Sequence, residues 1–300
     1  MAHNEAQNIE FLIERLLQQE LTGVKITEII VVASGCTDNT VSLVEEISKN
    51  DSRIKLITEE TRKGKASAVN LFIKNARCDI CVLVGADTIP DMSTVERLVE
   101  PIIDNVGMTG ARPVPINDSK NFSSYVVHFL WEMHHRVALV QPKCGEMVAF
   151  RKCFSEIPPD TVVDEPQIEA LVRKAGYSLK YVPEAVVYNL GPENLQEIVM
   201  RRRSIVAGYI RFGKTTSYRT SSQRLRWWLL KYVFLQIARG KEPFWYSIGA
   251  ILVELLSRNL GWWDANYSKE KLYIWEPAVS TKDTSRYGEK IVSKTNGMRD

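Results

Sequence analysis

No apolar run in this 300-residue chain approaches the ~20 residues that a membrane-spanning helix needs, so the sequence offers no transmembrane segment. Cysteine is scarce and irregular. Cys36, Cys78, Cys81, Cys144 and Cys153 are an odd number without regular spacing, which excludes a disulfide framework. With no secretory leader in view, they read as reduced thiols in a cytosolic setting. Cys78 and Cys81 form a C-x-x-C at the start of an apolar run and lack a second ligand pair nearby, so buried or half-buried thiols fit better than zinc. A P-loop pattern is missing too. The net charge of +3 is too small an excess to argue for a nucleic-acid partner.

What is present is ordinary globular composition, 45% hydrophobic and 25% charged, enough for one large α/β domain plus an appendage. Ile9, Leu12, Ile13 and Leu16 have helical spacing. Ile29 to Val32, Ile54 to Ile57 and Ile80 to Val84 are short β-branched runs of the kind buried on both faces. Helical patterns separate them, around Val41–Ile47 and Ala66–Ala76, and Ser93 with Glu96 has the spacing of a capping box. This order predicts an α/β fold, a mainly parallel sheet with helices on both faces, whose ligands bind outside the carboxyl ends of the strands. A strand is expected before the first helix but the chain reaches His3, Asn4 and Glu5 at once, which reads as a truncated start.

Four loops at the expected strand ends carry unusual chemistry. They are Ala2-His3-Asn4-Glu5, then Ala33 to Thr40, then Arg62-Lys63-Gly64-Lys65 leading into a helix, and Gly85-Ala86-Asp87-Thr88. A helix start with Lys65 suits phosphate oxygens, and Asp87 suits a hard divalent cation bridging them. Taken singly each is weak, since an Asp after a strand is commonly a turn former.

In order, these elements resemble the family 2 glycosyltransferases, which have a GT-A nucleotide-sugar fold. The family pattern runs A-x-N-E, an acidic D-G-S-T-D-x-T turn, G-K-x-x-A-x-N, D-x-D, an E-D pair and Q-x-x-R-W. Here Ala2-His3-Asn4-Glu5, Gly35 to Thr40, Gly64 to Asn70, Ala86-Asp87-Thr88, Asp164-Glu165 and Met200 to Ser204 stand in those places, over roughly residues 1–210. Ala33 and Ser34 replace acids that contact the base or ribose, Gly85 replaces the first Asp of D-x-D, and Met200 and Ser204 replace Gln and Trp. Loss of that Trp argues against a processive polysaccharide synthase.

The resemblance implies an inverting displacement that uses a UDP- or GDP-sugar and a divalent metal, Mn2+ or Mg2+, held by Asp87. Donor contacts are expected from Glu5, Ser34, Lys65, Asp87, Arg201, Arg202 and Arg203. The base falls to Asp164 or Glu165 equally, although two acids before Pro166 also suit a plain helix start. Gly145 and Glu146 match a loop on the acceptor side. His134 and His135 point about 100° apart on a helix, so one metal does not easily take both.

Lys and Arg crowd residues 199–241, which implies a polyanionic partner, a diphosphate or an anionic lipid surface. Trp227, Trp228, Trp245, Trp262 and Trp263 among apolar and basic residues suit either a membrane interface or a helical hairpin packed on the core. The expected organisation is a catalytic domain over 1–212, an amphipathic interface segment over 213–280 and a disordered tail over 281–300. The acceptor would be a lipid-linked or cell-envelope glycan, with the protein peripheral on the inner face of the cell membrane. Two other readings stay open: a degenerate transferase-like partner subunit, and a sugar nucleotidyltransferase, for which the glycine-rich signature after a first strand is missing.

Overall fold

The computed structural model describes residues 1–118, 121–216, 218, 243–268 and 281. Helix α1 (Ile9–Leu17) buries Ile9, Leu12, Ile13 and Leu16 at the spacing the sequence predicts. Strand β1 (Ile29–Ser34), helix α2 (Thr40–Asn50), strand β2 (Ile54–Glu59), helix α3 (Lys65–Asn75) and strand β3 (Ile80–Val84) follow in alternation. Then come β4 (Thr88–Pro90), α4 (Thr94–Val99), β5 (Val106–Pro115), α5 (Phe122–Val140), β6 (Met147–Arg151) and α6 (Asp164–Lys174). Strand β7 (Ser178–Asn189) and helices α7 (Leu195–Thr216) and α8 (Phe244–Tyr267) complete the described elements.

Strands β1 and β2 pair in parallel, and the other five form a sheet in the order β3-β6-β5-β7-β4. Only β5 and β7 are parallel within that sheet; β3–β6, β5–β6 and β4–β7 are antiparallel. The α/β class therefore holds, but the sheet is mixed rather than mainly parallel. The physical reason is that a buried apolar run reads the same in either direction, and β6 inserts between β3 and β5 running against both.

Helices cover both faces, as the alternation within strands reveals. Met147 and Ala149 of β6 join a core with α1, α2 and α4 residues such as Leu12, Val44 and Leu98. Val148 and Phe150, their neighbours, join a second core with Val69 and Ile73 of α3 and Ile168 and Val172 of α6. Period-two alternation sends successive side chains to opposite faces.

Met1 and Ala2 lie where a strand was expected. Ala2 N donates to Val32 O and Ser34 N donates to Ala2 O, both at 2.9 Å, on the β1 side. Met1 N donates to Val84 O and Ala86 N donates to Met1 O, both at 3.2 Å, on the β3 side. Two residues thus join the two sheets beside the Asp87 loop.

The capping box at Ser93 does not form. Glu96 instead accepts from Thr22 Oγ1 and Gly23 N, each at 2.8 Å, holding the segment after α1. Helix α8 packs on α7 through small residues; a Cβ on Gly261 would come 2.6 Å from Arg203 O. Its opposite face leaves Trp245, Leu252, Trp262 and Trp263 exposed, so these tryptophans are not core residues. The basic residues from Arg219 to Lys241, Trp227, Trp228 and most of the tail lie outside the described residues.

Candidate functional site

The first two loops are hydrogen-bonded to one another. Asn4, at φ 54°, accepts from Thr37 N at 2.8 Å through Oδ1, and Glu5 N donates to Thr40 Oγ1 at 2.8 Å. Asp38 accepts from Ala6 N and Thr40 N, both at 3.0 Å. Burial alone would raise the Asp38 carboxyl, but these donors hold it below the usual range. Gly35, at φ 58°, brings this loop against Arg62, where a Cβ would lie 2.6 Å from the Arg62 nitrogen. Only glycine suits both the conformation and the space.

Gly64, at φ 96°, turns the chain into α3, so Lys65 begins that helix at its electropositive end. Asn70, one turn on, exchanges two hydrogen bonds with the Ile157 backbone, at 2.9 and 2.8 Å. That contact fixes α3 against the segment leading to α6. As a result Lys65 Nζ lies 2.8 Å from Asp164 Oδ2 and 2.9 Å from Glu165 Oε1. The Asp164 contact is a charge pairing at 2.8 Å. Asp164 and Glu165 are the first two residues of α6, where the helix dipole favours acids.

Burial pushes the Asp164 carboxyl above the carboxylate range, and the Glu165 charge adds to it. Glu165 also loses water, but the Lys65 ammonium outweighs that and holds it low. Lys65 itself, despite desolvation, is held above its ordinary value by the two carboxylates. The three groups form one electrostatic unit in which the cation lowers the cost of two adjacent buried acids.

Glu146 lies near this group. Burial raises its carboxyl, and the charges of Arg201, Asp87, Glu165 and Lys65, from four other segments, all act on it. Arg201 Nη2 lies 3.9 Å from Glu146 Oε1. Glu146 has φ 59°, a left-handed conformation that costs a non-glycine residue about 1 kcal/mol or more and is characteristic of functional loops. Gly145 beside it has open space where a Cβ would stand.

Asp87 folds back over Gly85, so that a Cβ on residue 85 would come 2.7 Å from Asp87 Oδ1. Among the described residues, no group of three His, Cys, Asp or Glu side chains gathers as a metal site. One carboxylate fits a hard cation that takes its other ligands from phosphate oxygens and water, not one caged by protein. The donor set therefore suits a divalent ion arriving with a diphosphate.

The remaining predicted residues lie elsewhere. Arg202 donates to both Glu254 oxygens at 2.9 and 2.7 Å, and Arg203 to both Asp264 oxygens at 2.5 and 2.6 Å. Both arginines tie α7 to α8 rather than joining Arg201 beside Glu146. Glu5 is buried and accepts from Asn8 Nδ2 at 2.8 Å, as a loop support. Ser34 is buried, and its Oγ has no hydrogen-bond partner among the described residues. His135 Nδ1 is 2.9 Å from Tyr181 OH, while His134 packs edge-on to Trp131. One residue that the sequence gave no reason to select is Glu169, one turn beyond Glu165. It accepts from Cys144 N at 2.9 Å and so links α6 to the Gly145 loop.

A family model described as glycosyl transferase family 2 matches residues 1–155. Poly-beta-1,6-N-acetyl-D-glucosamine synthase of Staphylococcus aureus (strain COL) is 25% identical over 206 residues, 64% of this chain and 49% of that protein. The protein of the same name from Staphylococcus epidermidis is 22% identical over the same coverage. This chain thus spans about half the length of the curated relatives it matches. Among solved structures, the mannosyltransferase PcManGT from Pyrobaculum calidifontis, in complex with GDP-Man and Mn2+, aligns with a TM-score of 0.63 at 20% identity. The alignment covers 90% of this chain and 86% of that one, which establishes the GT-A arrangement of the fold.

Proposed function

The chain belongs to glycosyl transferase family 2, and from that premise we propose that it moves a sugar from a UDP- or GDP-sugar to a hydroxyl of a lipid-linked or cell-envelope glycan, with inversion at the anomeric carbon. The observation that carries this reading is the Lys65 ammonium between Asp164 and Glu165, with the charges of Lys65, Glu165, Asp87 and Arg201 all acting on the nearby Glu146. The names of the curated relatives support a glycan product.

The diphosphate of the donor competes for Lys65 at the start of α3, where helix dipole and ammonium act together. As Lys65 turns to phosphate, the two carboxylates lose the cation between them and their proton affinity rises. Glu165, the more exposed of the pair at 19% against 5%, takes the acceptor proton while the acceptor oxygen bonds to the anomeric carbon. The bond from that carbon to the donor phosphate oxygen breaks, and its electrons leave with the nucleoside diphosphate. Lys65 and Arg201 neutralise the leaving charge, and Gly145 with Glu146 borders the acceptor. Asp87 would hold a divalent ion, Mn2+ or Mg2+, which when bound supplies further charge neutralisation at the diphosphate.

In this reading residues 1–212 are the catalytic domain, and residues 213–280 rest on an anionic membrane surface at its cytoplasmic face. The exposed apolar face of α8 supports that placement, since exposed tryptophans concentrate where one side of a helix meets lipid. The testing experiment is nucleoside diphosphate release from UDP- and GDP-sugars with Mn2+ and a glycan acceptor. Turnover in the wild type that is abolished in the Asp164→Asn, Glu165→Gln double variant, with thermal stability retained, supports the base. Retained turnover in that variant removes it. Nucleotide binding without any transfer by the wild type would favour a degenerate partner subunit instead.

A further inference from the structure

A second pocket, of about 270 Å³, opens between α5 and the far half of β5, with Arg112, Tyr125, His128, Trp131, Glu132 and His135 in its walls. It exists because β6 pairs with β5 only as far as Gly110; beyond that point β5 pairs with β7 alone. Pro113 and Pro115, which have no N–H to give a strand partner, suit the edge so exposed and add apolar lining.

Nearly every polar wall group is already committed. His128 Nε2 is 3.0 Å from Asn117 O, His135 Nδ1 is 2.9 Å from Tyr181 OH, and Tyr125 OH is 2.5 Å from Ser247 Oγ. The Glu132 carboxylate accepts from Arg136 Nε at 2.6 Å. Arg112 is not so committed. It is half-buried, yet no described residue gives its guanidinium a hydrogen bond or an ion pair. Its charge is felt by the His135 ring, where burial and then Arg112 lower the proton affinity. A partly desolvated cation without a partner is unfavourable by itself and is relieved by an anion.

We propose that this pocket is a second carbohydrate site, taking a sugar that bears a carboxylate or phosphate, with Arg112 as the anion-binding group and Trp131 and Tyr125 as the ring-facing walls. A guanidinium pairs two oxygens of such a group at once, which fixes orientation as well as adding affinity. The aromatic walls exclude water around the sugar ring, and the volume is close to the ~300 Å³ at which small-molecule pockets begin. The pocket shares no lining residue with the Lys65, Asp164 and Glu165 group. Trp131 and His135 line the pocket, whereas the neighbouring His134 lies within the field of Lys143, next to the Gly145 loop.

Saturation-transfer NMR and calorimetry on the full chain decide the matter, with glucuronate, glucose 6-phosphate, glucose and inorganic phosphate as probes. Both anionic sugars are expected to bind roughly tenfold more tightly than glucose or phosphate, the scale of one charge-assisted contact. Adding UDP or GDP with Mn2+ should leave their signals in place. Arg112→Met, which keeps the aliphatic stem, should remove the preference for the charged sugars. Glu132→Gln, which removes the competing charge, should tighten their binding, a gain that misfolding cannot mimic. Equal binding of glucose, or equal binding of phosphate alone, overturns the proposal. So does displacement by the nucleotide, or an unchanged response in Arg112→Met.

Discussion

Lys65 Nζ lies 2.8 Å from Asp164 Oδ2, so the helix start suited to phosphate and the helix start that carries the acids share one cation. Without a diphosphate, Lys65 sits between two adjacent carboxylates and holds the Glu165 proton affinity low. In the proposed reaction a bound diphosphate would give the ammonium a stronger partner and leave the acids to accept a proton.

Gly85→Asp should strengthen metal binding. The substitution adds a second carboxylate next to Asp87, and the only close atom is the mobile Asp87 Oδ1, 2.7 Å from the new Cβ. Asp87 swings aside and two acids then face one cation, so Mn2+ affinity without nucleotide should rise roughly tenfold. Titration followed by the electron-spin signal of free Mn2+ reads this directly. An unchanged affinity would mean that positions 85 and 87 do not share an ion.

Glu169→Gln should stabilise the protein more as pH rises. Burial pushes the Glu169 carboxyl up to about 7 from an ordinary 4.5, against the opposing donors Cys144 N and Tyr218 OH. Because the folded value is above the unfolded one, the stability it contributes is present below about 4.5 and is lost as pH climbs through about 7. A permanently neutral amide avoids that loss. Its advantage over the wild type should grow by about 1–3 kcal/mol between roughly pH 5 and pH 8, several degrees in a melting curve. A constant difference across that range would contradict the assignment.

How far these features were legible from residues alone differs from one to the next. Lys65, Asp87 and the Asp164-Glu165 pair stand after buried apolar runs or at helix starts, and the ordered resemblance to a family pattern, more than position alone, singled them out as candidates. Arg202 and Arg203 could not be separated from Arg201 in the same way. Their partners, Glu254 and Asp264, come from a helix some fifty to sixty residues later, and consecutive residues on α7 point in different directions. The mixed sheet was hidden because strand direction leaves no mark on hydrophobic periodicity. The strain at Glu146 and the lack of a partner for Arg112 among the described residues are properties of tertiary packing, and no local pattern encodes them.

Membrane contact should depend on the exposed face of α8. In flotation with vesicles containing about one third anionic lipid, at ~0.15 M salt, the wild type should rise with the lipid. Replacing Trp245, Trp262 and Trp263 together by Ala should reduce the floated fraction several-fold without unfolding the helix, since all three side chains are exposed. A wild type that stays with the soluble fraction would rule out peripheral binding under those conditions.

The most direct measurement is a crystal structure with a nucleoside diphosphate and Mn2+. The expected result is a diphosphate between Asp87 and the start of α3, with Lys65 Nζ bonded to a phosphate oxygen and withdrawn beyond about 4 Å from Asp164 and Glu165. A bound diphosphate that leaves Lys65 still spanning both carboxylates would contradict it.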